Sequence, residues 1–439
     1  MAEKVSERVG NLNTTDYDEK PEGPGSALSV LLGLFLGLAN NFAEHFVFLL
    51  CYMSFKLLKG DNNVPLNVFL FFFFFALGSV VFLFLSPLLS FFTLVSYLFE
   101  AFFFLLMLLS VKTFEADAGR NVFTASVALL GLTHGVNKAS TMGLVECTPF
   151  SNPRVVDLAK FLSGLLPLFL YVVFKFGVAE EDTFAKDELE LFFVTVTSLA
   201  LVLTLLGGLL SVWYSSTGSV KRYVERKKVE NDSKPKFVAR HAGALFNNLL
   251  VPGLVFLALF FMKYTVFPMF FPLDASKKVD VGYKYLFLCL PGLMDGLSRL
   301  SFLYLFGRLN VDWGSLTPWK TLYMLVFDVL LVVYFAVLHN MQEEDFVLFE
   351  ETFSLLFFMV FTLLHSATAD LVTLEFLAFR EDREHDKRDL ETPSASTESG
   401  LSRASKRVTT FVFLNVLESV GSTLGSLLTL LLFNLQPDK

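Results

Sequence analysis

Residues 66–89 read LNVFLFFFFFALGSVVFLFLSPLL, without one charged side chain, and the reading of that run decides the fold. A helix of about 20 apolar residues matches the hydrocarbon thickness of a bilayer. Hydrocarbon offers the backbone no hydrogen-bond partner, so such a segment closes its own bonds as an α-helix. Outward from it, similar runs fill 27–55, 91–112, 121–145, 155–178, 191–214, 246–271, 282–306, 319–340, 352–379 and 409–433. Phe supplies 53 of 439 residues and charged residues only 18 %, too few to cover a soluble domain. The chain reads as an all-α, multi-pass integral membrane protein of about 11 transmembrane helices, with the lipid bilayer as its solvent. The break at Ser86-Pro87 leaves a count of ten to twelve open.

Lys and Arg set the expected orientation, because cytoplasmic loops retain an excess of them. With the N-terminus inside, roughly two-thirds of the 35 basic residues fall on cytoplasmic segments, which favours a cytoplasmic N-terminus and an outside C-terminus. The loop at 215–245, rich in Lys and Arg from Lys221 to Arg240, separates a six-helix half (27–214) from a five-helix half (246–433). Residues 1–26 read as a disordered cytoplasmic tail without a cleavable signal, 380–407 as a solvated Ser/Thr-rich linker, and 434–439 as a short tail. A net charge of −8 argues against a nucleic-acid partner. Cys51, Cys147 and Cys289 lack CxxC spacing, and no HExxH, Walker A or GxSxG pattern occurs, so no cofactor, metal or catalytic residue is expected. An integral membrane enzyme or a scaffold remains the reading from a different class.

Polar residues inside the runs carry the functional signal. A charge at the centre of a membrane helix costs about 2.5–3.5 kcal/mol on insertion scales, so it faces a bundle interior or a wet cavity. Asp295 and Arg299 stand four apart on the eighth run and share a helical face. His134, Asn137, Lys138 and Thr141 form a stripe on the fourth, and Asn40, Asn41, Glu44 and His45 one on the first. Asn415, Glu418, Ser419, Ser422 and Ser426 do so on the eleventh, and His365, Ser366, Asp370 and Thr373 on the tenth. Each stripe alone reads equally well as interhelical glue, whereas together they suggest a shared polar cavity. Asp328, Asp370 and Glu418 are candidates for proton coupling; Glu100 and Asp328 have no sequence neighbour to neutralise them. Lys263 is expected to snorkel to the outer interface.

Met294-Asp295-Gly296-Leu297-Ser298-Arg299, Tyr264-Thr265-Val266-Phe267-Pro268 and the spacing of Gly143, Pro149 and Gly164 resemble motifs of the equilibrative nucleoside transporters. The chain resembles a divergent member: Ser298 replaces a Gly, Glu44-His45 stand where the family has Trp-Asn, and Lys138 falls at a family glutamine. The resemblance implies a major-facilitator-like arrangement of six and five helices that moves nucleosides or nucleobases by alternating access, facilitatively or with protons. It places Asp295 and Arg299 on the ribose or in organising the cavity, and Lys138 on the nucleobase, with Lys138 alternatively paired to Glu44 or Glu146. His134, Asn41, Glu44, His45 and Asn415 are the further candidate substrate-binding residues. A carrier of another small solute, such as an amino acid or sugar, is the competing transport reading, and the plasma membrane is the default location. Asp295→Ala and Arg299→Ala are each expected to abolish uptake while surface expression, read by surface labelling, stays intact; normal uptake by both removes the pair from the pathway.

Overall fold

The computed structural model describes residues 25–58, 63–85, 89–146, 153–179, 184–217, 242–243, 250–267, 281–301, 325–326, 328–334, 356–369 and 403–434. Every apolar run carries helix: α1 Gly25–Leu57, α2 Val64–Leu85, α3 Leu89–Lys112, α4 Ala116–Glu146, α5 Pro153–Gly177, α6 Lys186–Ser216, α7 Leu250–Thr265 and α8 Val281–Ser301. They are followed by α9 (328–334), α10 (Leu356–Ala369) and α11 (Arg403–Asn434). No strand occurs among the described residues. The basic loop, most of the 380–407 linker's surroundings and Asp370 lie outside the described residues, as do the side chains of Asp295, Arg299 and Glu146.

Helix α2 stops at Leu85 and α3 begins at Leu89, so the Ser86-Pro87 break separates two helices. Proline lacks a donor and disfavours helix in the residue before it, which accounts for the stop. Among the described residues, five helices are long and apolar enough to cross a membrane by length and composition: α1, α2, α3, α6 and α11. The polar stripe of α4 lowers its mean hydropathy without shortening it, since α4 runs 31 residues. At the ends the chain uses charge. The Ala185 amide donates to the Glu188 carboxylate at 2.8 Å to cap α6, Lys112 of α3 pairs with Glu190 of α6, and Arg120 pairs with Asp117 at the start of α4.

The helices expose apolar side chains and bury their polar ones within a largely apolar core. Phe73, Phe91, Phe99, Phe102, Phe169 and Trp213 are exposed, whereas Asn40, Glu100, His134, Asn137, Ser419 and Ser422 are buried. That inversion suits a lipid solvent, in which an outward polar group has no partner.

Packing of α1 on α4, α5 and α6, of α4 on α2 and α3, and of α3 on α6 builds the first bundle; α7 packs on α11 in the second. The two are joined where α2 meets α11 and α5 meets α8, with smaller contacts of α4 with α11 and α1 with α8. Without a hydrophobic drive between helices in lipid, these seams rely on close backbone approach at small residues. A Cβ on Gly135 of α4 would lie 2.7 Å from the Ser79 amide of α2, and one on Gly425 of α11 would lie 3.0 Å from the Thr265 amide of α7. Between the halves, a Cβ on Gly164 would sit 2.6 Å from the Leu293 amide, and one on Gly292 would sit 2.7 Å from the imidazole Cε1 of His45.

Gly292→Ala and Gly164→Ala are each expected to lower the thermal midpoint in detergent, by the equivalent of about 1–3 kcal/mol of overpacking. Gly177→Ala, whose Cβ would meet nothing within 4 Å, is the control expected to leave it unchanged.

Candidate functional site

Four helices bring one charged cluster together. Lys138, on the inward stripe of α4, directs its ammonium to Glu418 Oε1 of α11 at 2.8 Å and to Glu44 Oε2 of α1 at 3.2 Å. The second oxygen of Glu44 accepts from the Tyr264 hydroxyl of α7 at 2.7 Å. The three charged side chains are 13–15 % exposed, so each is largely out of solvent. Two carboxylates against one ammonium leave the cluster short of positive charge, and the Tyr264 donor offsets part of that by binding an acceptor lone pair. Aromatic faces complete the setting: the Lys138 ammonium lies 5.3 Å from the Phe75 ring centroid, and Tyr264 packs on Phe72 with centroids 4.2 Å apart. Because α1 and α4 belong to the first bundle and α7 and α11 to the second, the cluster ties the halves at their centre.

Beside it, a pocket walled by Glu44, His45, Phe48, Lys263, Tyr264 and Gly292 has room for about one water molecule. The structure is therefore closed around the cluster among the described residues. Lys263 does not snorkel: it is 5 % exposed, with its ammonium 5.5 Å from the Tyr264 ring and 5.9 Å from the Phe260 ring. Its position on the inward face of α7 turns the stem away from the interface, and the aromatic faces receive the charge instead.

The fourth-helix stripe divides into two. His134 and Asn137 turn from Lys138's partners toward Glu100 of α3, whose carboxylate meets His134 Nδ1 at 3.0 Å and accepts from Asn137 Nδ2 at 2.7 Å. Thr141 donates to Asn137 Oδ1 at 2.9 Å. Glu100 is thus paired across helices, one of the arrangements its isolation in sequence left open. No local sequence signal could match Glu100 to His134, since their neighbourhood exists only once α3 packs on α4.

The remaining candidates scatter. Asn415 donates to Ser79 Oγ of α2 at 2.9 Å, and Asn41 donates to the Gly37 carbonyl of its own helix at 2.7 Å. Both act as glue. His45 lies against Gly292 and borders the small pocket. Asp328 is fully buried on α9 with no hydrogen-bond partner among the described residues, far in sequence from the cluster's helices. Tyr264, noticed in the sequence only as part of a motif, is the member of the cluster the polar stripes did not reveal: a tyrosine among apolar residues reads as core. No group of His, Cys, Asp and Glu suited to a metal occurs among the described residues.

In overall structure the chain is similar to the nucleoside transporter NupG, with 12 % identity and a TM-score of 0.54 over 91 % of this chain and 90 % of that one. It is also similar to a bacterial homologue of the human lysosomal transporter Spinster, solved inward-facing and unoccupied. There the identity is 11 % and the TM-score 0.51, over 92 % of this chain and 82 % of that one. No protein-family model and no curated protein matches the sequence. These likenesses bear out the fold, an all-α membrane protein of major-facilitator-like architecture.

Removing one member of a buried ion cluster strands the others, at about 3–5 kcal/mol, whereas removing all the charge together is often neutral. Lys138→Met is expected to lower the thermal midpoint in detergent, and Glu44→Gln with Glu418→Gln added to it is expected to restore most of the loss. Absence of that rescue would show that the loss does not come from stranding the two carboxylates.

Proposed function

We propose that the chain is a membrane carrier that moves nucleosides or nucleobases by alternating access between its two helical halves. The observation that carries this reading is the Lys138 cluster, the polar tie across the centre of the two bundles. A nucleobase or ribose offers N–H and O–H donors to Glu44 and Glu418 and a carbonyl or ring nitrogen acceptor to Lys138. The rings of Phe72, Phe75 and Tyr264 offer apolar faces to a flat heterocycle. A solute satisfying all three charged groups from within substitutes for the bonds between the halves, so the halves separate on one side without stranding a charge in a low-dielectric interior.

The same chemistry sets limits. Two acceptor-only carboxylates disfavour an anionic solute, so the cargo is the uncharged nucleoside or base rather than its phosphate ester. The nucleoside reading draws further support from the span-eight motif with Asp295 and Arg299, and from the fold likeness to a nucleoside transporter. The orientation we assign, N-terminus cytoplasmic and C-terminus outside, with halves 27–214 and 246–433 hinged by the basic 215–245 loop, follows from the distribution of Lys and Arg. A plasma-membrane location completes the proposal.

Proteoliposomes holding the purified chain are expected to take up labelled adenosine, inosine, uridine or hypoxanthine saturably, with cross-competition among those carried. Lys138→Met is expected to reduce that uptake at least tenfold. Uptake confined to an amino-acid or hexose control would move the chain to a carrier of another solute class.

A further inference from the structure

The Glu100–His134 pair plays no part in the cluster that ties the halves, yet both of its members are buried. Glu100 is 0 % and the His134 side chain 1 % exposed. The two are joined by one 3.0 Å contact between Nδ1 and Oε1. Asn137 holds the other carboxylate oxygen at 2.7 Å. His134 Nε2, also buried, has no hydrogen-bond partner among the described residues. Its ring instead packs against Phe71 and Phe75 of α2, with centroids 5.9 and 5.5 Å away.

The neighbouring elements leave this pair to neutralise itself. Helix α2, packed on α4, contains no titratable residue. On α6, which packs on α3, Tyr214 is the one titratable residue of the buried face. Tyr97 of α3 faces Glu100, and its hydroxyl is satisfied by the Leu36 carbonyl and lies among Asn40, Asn137 and Thr141. Glu44 of α1 and Glu418 of α11 are drawn to Lys138. Among the described residues, therefore, no fixed cation contacts Glu100. A bare carboxylate there would be an uncompensated charge in a low-dielectric interior. One proton makes the pair neutral, either as carboxylic acid with imidazole or as carboxylate with imidazolium. Two protons would leave it with a net positive charge that no described anion contacts.

The geometry points to the Glu100–His134 pair as a binding site for a single transported proton, loaded in this closed state and released when α4 shifts against α3. This rests on the carrier reading above and goes beyond it by assigning proton symport and the pair that performs it. The coupling element is α4 itself. His134 and Lys138 stand one turn apart on it, so a change of partner at Lys138 moves the helix that holds the imidazole against Glu100. In the step, the proton shared along the Nδ1–Oε1 contact leaves to water as the contact opens and another is taken up on the opposite side. No bond to carbon changes and no electrons move.

Two measurements separate this proposal from the carrier reading. In proteoliposomes with an acidic exterior one pH unit from the lumen, labelled adenosine is expected to accumulate about tenfold if one proton accompanies each solute. Glu100→Gln should retain adenosine counterflow but bring accumulation back to unity. Wild-type accumulation at unity, or undiminished accumulation in Glu100→Gln, overturns the proposal while leaving the carrier reading intact. If Glu100→Gln does not yield monodisperse protein, His134→Gln reads the pair from its other side, with loss of accumulation expected and its retention overturning the assignment. The second measurement needs no transport: pH-difference infrared spectra of the detergent-solubilised chain should show a carboxylic acid C=O band that titrates and vanishes in Glu100→Gln. Spectra identical in the two proteins overturn the proton site, and a titrating Glu100 band in a chain that carries no solute overturns the carrier reading and the symport with it, leaving only a proton-binding pair.

Discussion

A lone ammonium shared by two carboxylates on opposite bundles is the interaction around which the rest of the structure is arranged. Lipid leaves the chain no cheap location for a charge, so Lys138, Glu44 and Glu418 must find one another or be shielded. Meeting at the centre requires that α1 and α4 turn their polar stripes toward α7 and α11. Their opposite faces are thereby left free to be apolar against the acyl chains, with Phe35 on α1 and Leu129 on α4 facing outward. The inversion of inside and outside thus follows from pairing as much as from hydropathy.

Helix α4 carries two polar centres that differ in accessibility and in permanence. The Lys138 cluster retains partial exposure and borders a water-sized pocket, so its bonds are open to exchange. The Glu100 network, held by Asn137 and Thr141, is enclosed by Phe71, Phe75 and Tyr97. One helix therefore presents an exchangeable face to the second bundle and a sealed face to α3. Rigid transmission along a single helix is the simplest physical link between two such centres.

Much of the architecture was legible in the sequence because lipid imposes a strong rule: each uninterrupted apolar run had to be helix, and each carries helix among the described residues. The stripes on the first, fourth and eleventh runs hold the three charged members of the Lys138 cluster, since i, i+3, i+4 spacing fixes which residues share a face. It does not fix which face meets which helix. Lys138 could be matched to Glu44 as one of two options, but Glu418 read as a separate titratable group until α11 came to lie beside α4. Lys263 misled because a lysine near a helix end has an interfacial option that sequence favours, and only tertiary packing of Phe260 and Tyr264 supplies the alternative. Asn415 and Asn41 show the limit from the other side, being polar residues on the expected faces whose bonds end at Ser79 and at a backbone carbonyl.

The crossing of α5 and α8 has a mechanical meaning. At Gly164 and Gly292 the two backbones meet with no side chain interposed, while His45 rests against the same point from α1. A joint of interdigitated side chains resists rotation, because each small turn drives rotamers through eclipsed positions. At these two glycines such teeth are missing and the backbones themselves set the spacing, whereas between α2 and α11 the halves are held by Asn415 on Ser79 Oγ and Thr423 on the Phe72 carbonyl. The seam therefore combines a crossing at which backbone meets backbone with one tied by side-chain hydrogen bonds.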